Sequence, residues 1–250
     1  MRVSKMDILI GWCDNGTVES RFMDGILSLY MAKERGELDV QLNATHTMGN
    51  QIFLQRQQMI EGWEETGIDW FLSVDTDVVI TPNDLKRLIE IADKDKAPVV
   101  TGVYFVSPNP NDPLMTPMPC IFKQIGHGFQ PIHPLPINQK IQVDAAGMGL
   151  VLMHKSILPK LKEKYPDGVY FDTALGEKSK GEDLSFFMKL KDVGIPVISH
   201  TGVIGKHMKR FCVDENYYSL WWQTVGAQIQ QTQSGLVLPS DEDIKKVSKR

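Results

Sequence analysis

The feature that most constrains this 250-residue chain is the exchange of two hydrophobic periods through its first hundred residues. Asp7 to Trp12 (DILIGW) is a short apolar run ending in a glycine-containing turn, the pattern of a buried strand. Phe22, Ile26, Leu29 and Tyr30 follow at helical spacing, and the segment stops near Gly36. Leu38 to Ala44 alternates as a strand does. Asn50 to Glu65 returns to a helical face (Ile52, Met59, Ile60, Trp63) closed by Gly67. Asp69 to Val74 (DWFLSV) is again an apolar strand. Thr81-Pro82 opens the next helix, with Thr81 as N-cap and proline at the first helical position; Leu85, Leu88, Ile89 and Ala92 form its face. Val99 to Val106 (VVTGVYFV) completes the order βαβαβαβ. This predicts an α/β fold, a Rossmann-like, mostly parallel sheet flanked by helices, with ligands at the carboxyl ends of the strands.

Beyond Val106 the pattern loosens. Ser107 to Gln139 is rich in proline and glycine and keeps neither period, which reads as a functional loop or an excursion from the sheet. Regularity returns over Ile141–Met153, in a helix over Glu182–Val193 and in a strand over Ile195–Ser199. The reading is one catalytic domain over 1–235, with a donor half about 1–106 and an acceptor half about 107–235, and a charged tail over 236–250. With 27 Lys and Arg against 31 Asp and Glu, the formal charge of −4 lacks the basic excess of a protein that lives on bare nucleic acid. Cys13, Cys120 and Cys212 are odd in number and widely spaced, which opposes a disulfide frame and favours a reducing compartment. No apolar run reaches membrane-spanning length and the N-terminus lacks a signal pattern, so a cytoplasmic protein is expected.

Five segments carry chemistry. Asp75-Thr76-Asp77 directly follows the DWFLSV strand. On extended backbone, residues two apart point the same way, so one hard cation could be shared; a solvated acidic turn is the plain alternative. Arg56 lies on the apolar face of its helix, where a guanidinium must reach a phosphate, pair with a crevice carboxylate or snorkel to water. In Val143–Met153 (VDAAGMGLVLM), Gly147 and Gly149 mark a bulge or a close approach. Ser179 and Glu182 fit a capping box, which explains Glu182 by helix-start mechanics and leaves Asp183 free as a general base or as a dipole-complementing surface group. Finally, Gly202–Arg210 (GVIGKHMKR) sets His207 among Lys206, Lys209 and Arg210, suited to a diphosphate, with the imidazole able to complete a metal shell begun by Asp75 and Asp77.

In this order the segments resemble the GT-A glycosyltransferases, especially the compact family 2-like enzymes of bacteria and phages. The matching stretches are ILIGWCDNGTV, the Arg56-Gln57 helix, DWFLSVDTDVVITPNDLKRLI, VDAAGMGLVLM, GEDLSFFMKL and GVIGKH, spanning roughly residues 7 to 211. The resemblance implies a metal-dependent transfer of sugar from a nucleoside-diphosphate sugar, UDP- or GDP-linked, to an acceptor hydroxyl. It implies that Gly11, Trp12, Cys13 and Asp14 meet base and ribose. Asp75, Asp77 and His207 would hold Mn2+ or Mg2+, and Arg56 and Lys206 would touch phosphate. Gly147 and Gly149 would line the donor sugar, and Asp183 would be the base of an inverting reaction. GWCDN stands where the family has P-x-Y/F-N, and Gln57 replaces its asparagine. The acceptor, whether glycan, lipid-linked intermediate, protein or modified nucleobase, is expected near Ser107–Gln139 (His127, His133) and Tyr217–Trp222; a viral origin would place the reaction in the host cytoplasm. The competing readings are a nucleotide-sugar-binding protein without turnover and a sugar nucleotidyltransferase. The latter normally carries a basic, glycine-rich first turn, which GWCDNG is not.

Overall fold

A computed structural model of the chain describes residues 5–107, 117–126, 128–173, 181–209 and 215–223. They fall in two compact units, Met1–Asn109 with Met115–Met208, and Pro110–Leu114 with Lys209–Arg250. The charged tail over 236–250 lies outside the described residues.

The first unit opens with β1 (Met6–Asp14), α1 (Ser20–Glu34), β2 (Val40–Met48), α2 (Ile52–Thr66) and β3 (Trp70–Val74). Then come the short β4 (Val78–Val79), α3 (Pro82–Ile91), β5 (Val99–Val103) and the short β6 (Phe105–Val106). The expected start and stop signals operate. Gly67 closes α2 in the left-handed conformation, and Thr81 caps α3 in a reciprocal box with Asp84. The middle of the chain gives β7 (Met118–Pro119), β8 (Ile121–Ile125), β9 (Gly128–Pro131), β10 (Lys140–Val143), β11 (Ala145–Ala146), β12 (Leu150–His154) and α4 (Ile157–Lys164). The unit ends with α5 (Glu182–Asp192), β13 (Val197–Ile204) and β14 (Lys206–His207). The second unit contributes α6 (Glu215–Trp221).

Seven strands form one sheet in the order β10-β13-β5-β12-β3-β1-β2. Five run parallel; β12 runs antiparallel between β3 and β5, and β10 antiparallel at the edge. Both faces are covered, as a mostly parallel sheet requires. Alternate residues of β1 divide between the two cores: Ile8 and Ile10 pack with Phe22, Ile26, Leu29 and Leu88, whereas Leu9 packs with Met59, Trp63, Phe71 and Phe186.

Two expectations change. The stretch over 107–139 is not wholly irregular: β8 and β9 join β11 in a three-stranded antiparallel sheet, turned at Gly126 with φ +59°. Strands of two to five residues are too short to display a period. The run over Ile141–Met153 is not one strand but three, β10, β11 and β12, in two sheets. Because β12 is antiparallel, its N-terminal glycine turn lies at the carboxyl end of β3, where Leu150 pairs with Val74. Because β13 is parallel to β5, its exit toward His207 reaches that same edge.

Gly11 has a packing reason to be glycine, since a Cβ there would sit 2.4 Å from the Phe71 ring and 2.8 Å from the Met59 sulfur. Gly11→Ala is expected to lower stability by about 1–3 kcal/mol, the usual penalty of overpacking, read from urea unfolding; an unchanged midpoint would remove this constraint.

Candidate active site

The carboxyl ends of β1, β3 and β5, the turn before β12 and the start of α5 converge around Arg56. Its side chain is only 7% exposed. Nη2 donates to Asp75 Oδ1 at 3.0 Å and Nη1 to Glu182 Oε1 at 2.8 Å, and Nη1 also pairs with Asp183 Oδ1. Burial opposes the charge, but Asp75 and Glu182 outweigh it and hold the guanidinium protonated, its pKa raised further. Of the alternatives open in the sequence, the carboxylate pairing is the one realised. Glu182 is therefore not a capping residue: Gly181 is the N-cap of α5 with no side-chain cap bond, and Ser179 lies outside the described residues. Asp183 Oδ2 accepts the Met148 N–H at 3.1 Å.

The two aspartates of the acidic turn do not point the same way. Val78 N–H donates to the Asp75 carbonyl at 2.9 Å, so Asp75–Val78 is a turn, and the extended backbone assumed above is absent. Asp75 faces Arg56. Asp77 faces His207, whose Nε2 lies 3.0 Å from Asp77 Oδ2. The two-residue ladder of β4 with β14 brings them together, pairing His207 with Val78, and Met208 N–H donates to the Asp77 carbonyl at 2.7 Å. Nδ1 of His207 lies 2.7 Å from the Phe105 carbonyl, which can only accept, so Nδ1 carries a hydrogen. Nε2 and a carboxylate oxygen then face each other, an arrangement that needs a proton or a cation between them. Among the described residues, no three His, Cys, Asp or Glu side chains gather into a metal-holding group.

Gly147 and Gly149 are glycines because Tyr104 comes close. A Cβ on Gly147 would meet the Tyr104 hydroxyl at 2.0 Å, and one on Gly149 would meet Asp75 Oδ2 at 2.7 Å. The Gly149 N–H donates to that hydroxyl at 3.3 Å, and the Tyr104 ring meets His207 edge-on at 5.1 Å. Burial, reinforced by Cys120 and Asp75, drives the Tyr104 phenol well above its ordinary pKa, so it stays protonated. The sequence reading missed Tyr104; a lone tyrosine in VVTGVYFV looks like core, and its ring is core. Gln57 proves to be a tie to the 168–171 segment, donating to the Gly168 carbonyl and accepting from Tyr170 N–H.

At the end of β1, Trp12 stacks on His46 with centroids 5.7 Å apart. Asp14 is buried and accepts from Gly16 N–H at 2.8 Å and His46 Nδ1 at 2.7 Å. Burial raises its pKa, but these two donors prevail and hold it below the usual carboxylate value. Burial pushes the neighbouring Cys13 thiol up. Lys206 is exposed on β14, and strand alternation turns it away from the side taken by His207. Lys209 and the Tyr217–Trp222 stretch belong to the second unit, while Arg210 and His127 lie outside the described residues; His133 is exposed.

No protein-family model matches the chain, and no curated protein sequence does. Solved structures do match. The crystal structure of A197 from STIV aligns with a TM-score of 0.56 at 19% identity, covering 82% of this chain and 87% of that one. GalNAc-T7 with UDP, GalNAc and Mn2+ aligns with a TM-score of 0.55 at 11% identity, covering 98% of this chain and 54% of that one. This chain thus spans about half the length of GalNAc-T7. The likeness is one of fold: the chain has a GT-A-like nucleotide-sugar transferase fold.

Two outcomes follow from the geometry. Arg56→Met leaves three carboxylates without their cation and is expected to destabilise the chain by about 3 kcal/mol, the lower end for a broken buried pair because the carboxylates are partly wet; urea unfolding measures it. The Asp14 carboxyl has a folded-state pKa below its unfolded value near 3.8. Its contribution is thus complete well above that value and is lost as pH falls through it. Asp14→Asn should flatten the fall of the urea midpoint between roughly pH 5 and 3, and an identical pH profile in the variant would refute the role.

Proposed function

We propose that the chain is a metal-dependent, family 2-like glycosyltransferase that moves a sugar from a UDP- or GDP-linked donor to an acceptor hydroxyl. The observation that carries this is the 3.0 Å approach of Asp77 and His207 from 130 positions apart, on the strand edge that also gathers Asp75, Arg56 and Asp183. The pair fits a divalent ion. His207 donates its Nδ1 hydrogen to a backbone carbonyl, the usual support of a metal-bound imidazole, and its Nε2 lies 3.0 Å from an Asp77 carboxylate oxygen. Two protein ligands are enough where substrate phosphates supply others. Asp77 and His207 would hold Mn2+ or Mg2+, with Asp75 at the rim, and the ion would neutralise charge on the departing nucleoside diphosphate.

The remaining roles belong to the chain itself. Trp12, Cys13 and Asp14, with the backbone at Gly11, meet base and ribose at the end of β1. The backbone at Gly147 and Gly149 lines the donor sugar beside Asp75. Asp183 takes the proton of the attacking hydroxyl, giving inversion. GalNAc-T7, solved with UDP, GalNAc and Mn2+, supports this choice of ligands. We place the reaction in the cytoplasm, the host's if the chain is viral; no helix among the described residues is long and apolar enough to cross a membrane. One observation favours a second reading, a nucleotide-sugar-binding protein without turnover: both Asp183 oxygens are already engaged, by Arg56 and by Met148 N–H.

The test is release of nucleoside diphosphate from a panel of nucleotide sugars with Mn2+. Asp77→Asn and His207→Ala should each weaken metal-dependent donor binding by about tenfold or more. Asp183→Asn should keep donor binding and suppress cleavage. Tight binding with no cleavage in the unaltered chain would establish the second reading, and unchanged donor binding in Asp77→Asn would remove Asp77 from the site.

A further inference from the structure

Arg56 is a poor candidate for gripping a phosphate. Nη1 donates to Glu182 and is ion-paired with Asp183, and Nη2 donates to Asp75. One guanidinium among three carboxylates leaves a formal surplus of two negative charges, which repels an incoming diphosphate.

The same contacts close into a ring. Arg56 holds Asp75; the Asp75 N–H donates to the Gly149 carbonyl at 3.2 Å; Met148, the residue before, donates its N–H to Asp183; and Asp183 returns to Arg56. Each oxygen of the Asp183 carboxylate is thereby fixed by a different member of the ring, one by a side chain of α2 and one by the backbone of the glycine turn. Glu182 accepts a hydrogen bond from Nη1 at 2.8 Å. A guanidinium suits this task because its donors are rigid and coplanar, whereas an ammonium is a point charge on a flexible stem.

We propose that Arg56 is a positioning residue, acting on the transfer step through Asp183 and the glycine turn and not through contact with the donor diphosphate. The proposal rests on the reading of Asp183 as the base. Arg56 orients that carboxylate toward the acceptor hydroxyl and holds the turn at a fixed distance from it, so losing the fork misplaces the base without emptying the donor site.

The experiment uses the full chain, Mn2+ and a nucleotide sugar that the unaltered chain cleaves, with donor affinity from calorimetry and kcat for cleavage measured separately. Arg56→Lys is expected to lower kcat about 100-fold, the scale of a small misplacement of a reacting group. Donor affinity should stay within about threefold. In Arg56→Gly, added guanidinium ion should restore kcat by about tenfold or more, and ammonium at equal concentration should not. If the glycine variant does not fold, the lysine variant decides alone. Loss of donor affinity by about 30-fold with kcat retained would make Arg56 a donor contact and overturn the proposal. Parallel loss of kcat and affinity that tracks a fall in Tm, with no guanidinium rescue, would reduce it to a structural ion pair and overturn it equally. An unaltered chain that cleaves no donor overturns the enzyme reading, an Asp183→Asn variant that cleaves as fast removes Asp183 as the base, and either outcome overturns the proposal with it.

Discussion

A buried guanidinium cannot be left alone. Arg56 sits on the inward face of α2, and the carboxylates that make its burial tolerable come from the turn after β3 and from the first turn of α5. Breaking such a network is far more harmful than forming it is helpful, so its main effect is to select one arrangement of the elements that carry it. The helix α5 is 126 residues from Arg56 at Glu182, yet its N-terminus has to arrive at this point and at this height. The glycine turn before β12 is locked to the same centre, because its Met148 amide donates to Asp183 and its Gly149 carbonyl accepts from the Asp75 N–H. The residual negative charge stays tolerable because Asp75, Glu182 and Asp183 remain 28%, 17% and 24% exposed.

Much of this architecture is written in local periodicity. The exchange of strand and helix through Val106, the stop at Gly67 and the start at Thr81-Pro82 each have a mechanism acting within a few residues, and each is realised. Strand direction has no such local mark. The apolar run LVLMH reads the same in either sense, so nothing in it tells that β12 enters antiparallel between β3 and β5. The antiparallel entry is nevertheless what delivers Gly147 and Gly149 to the strand ends.

The site was legible in its residues more than in its pairings. Asp75 and Asp77 stand out after an apolar strand, Arg56 on an apolar helix face, Asp183 in the first turn of a helix and His207 in a basic loop, and the fold brings them to one strand edge. Which meets which depends on backbone that sequence spacing misjudges. The acidic turn sends Asp75 and Asp77 to different partners. A serine three places before a glutamate fits a capping box, but Glu182 faces a long-range cation instead. Gly147 and Gly149 advertise a close approach without naming the visitor, which is Tyr104, a residue whose ring belongs to the core and whose hydroxyl does not.

Tyr104 and Phe105 also explain how two electrostatically opposite centres share one crevice. The Tyr104 hydroxyl accepts from Gly149 on the Arg56 side, while its ring edge and the next carbonyl orient His207 on the other. On the Arg56 side the cation is already outnumbered, and an added anion would meet net repulsion. On the Asp77–His207 side an imidazole nitrogen and a carboxylate oxygen face each other, an arrangement that calls for a proton or a cation between them. On the proposed reading, a diphosphate would be drawn to the second centre together with a divalent ion and turned away from the first. On that reading the donor sugar would lie toward the glycine turn, whose Gly149 N–H meets Tyr104 and whose Met148 N–H meets Asp183. On the proposed function, charge distribution more than shape would assign one end of the crevice to the leaving group and the other to the base.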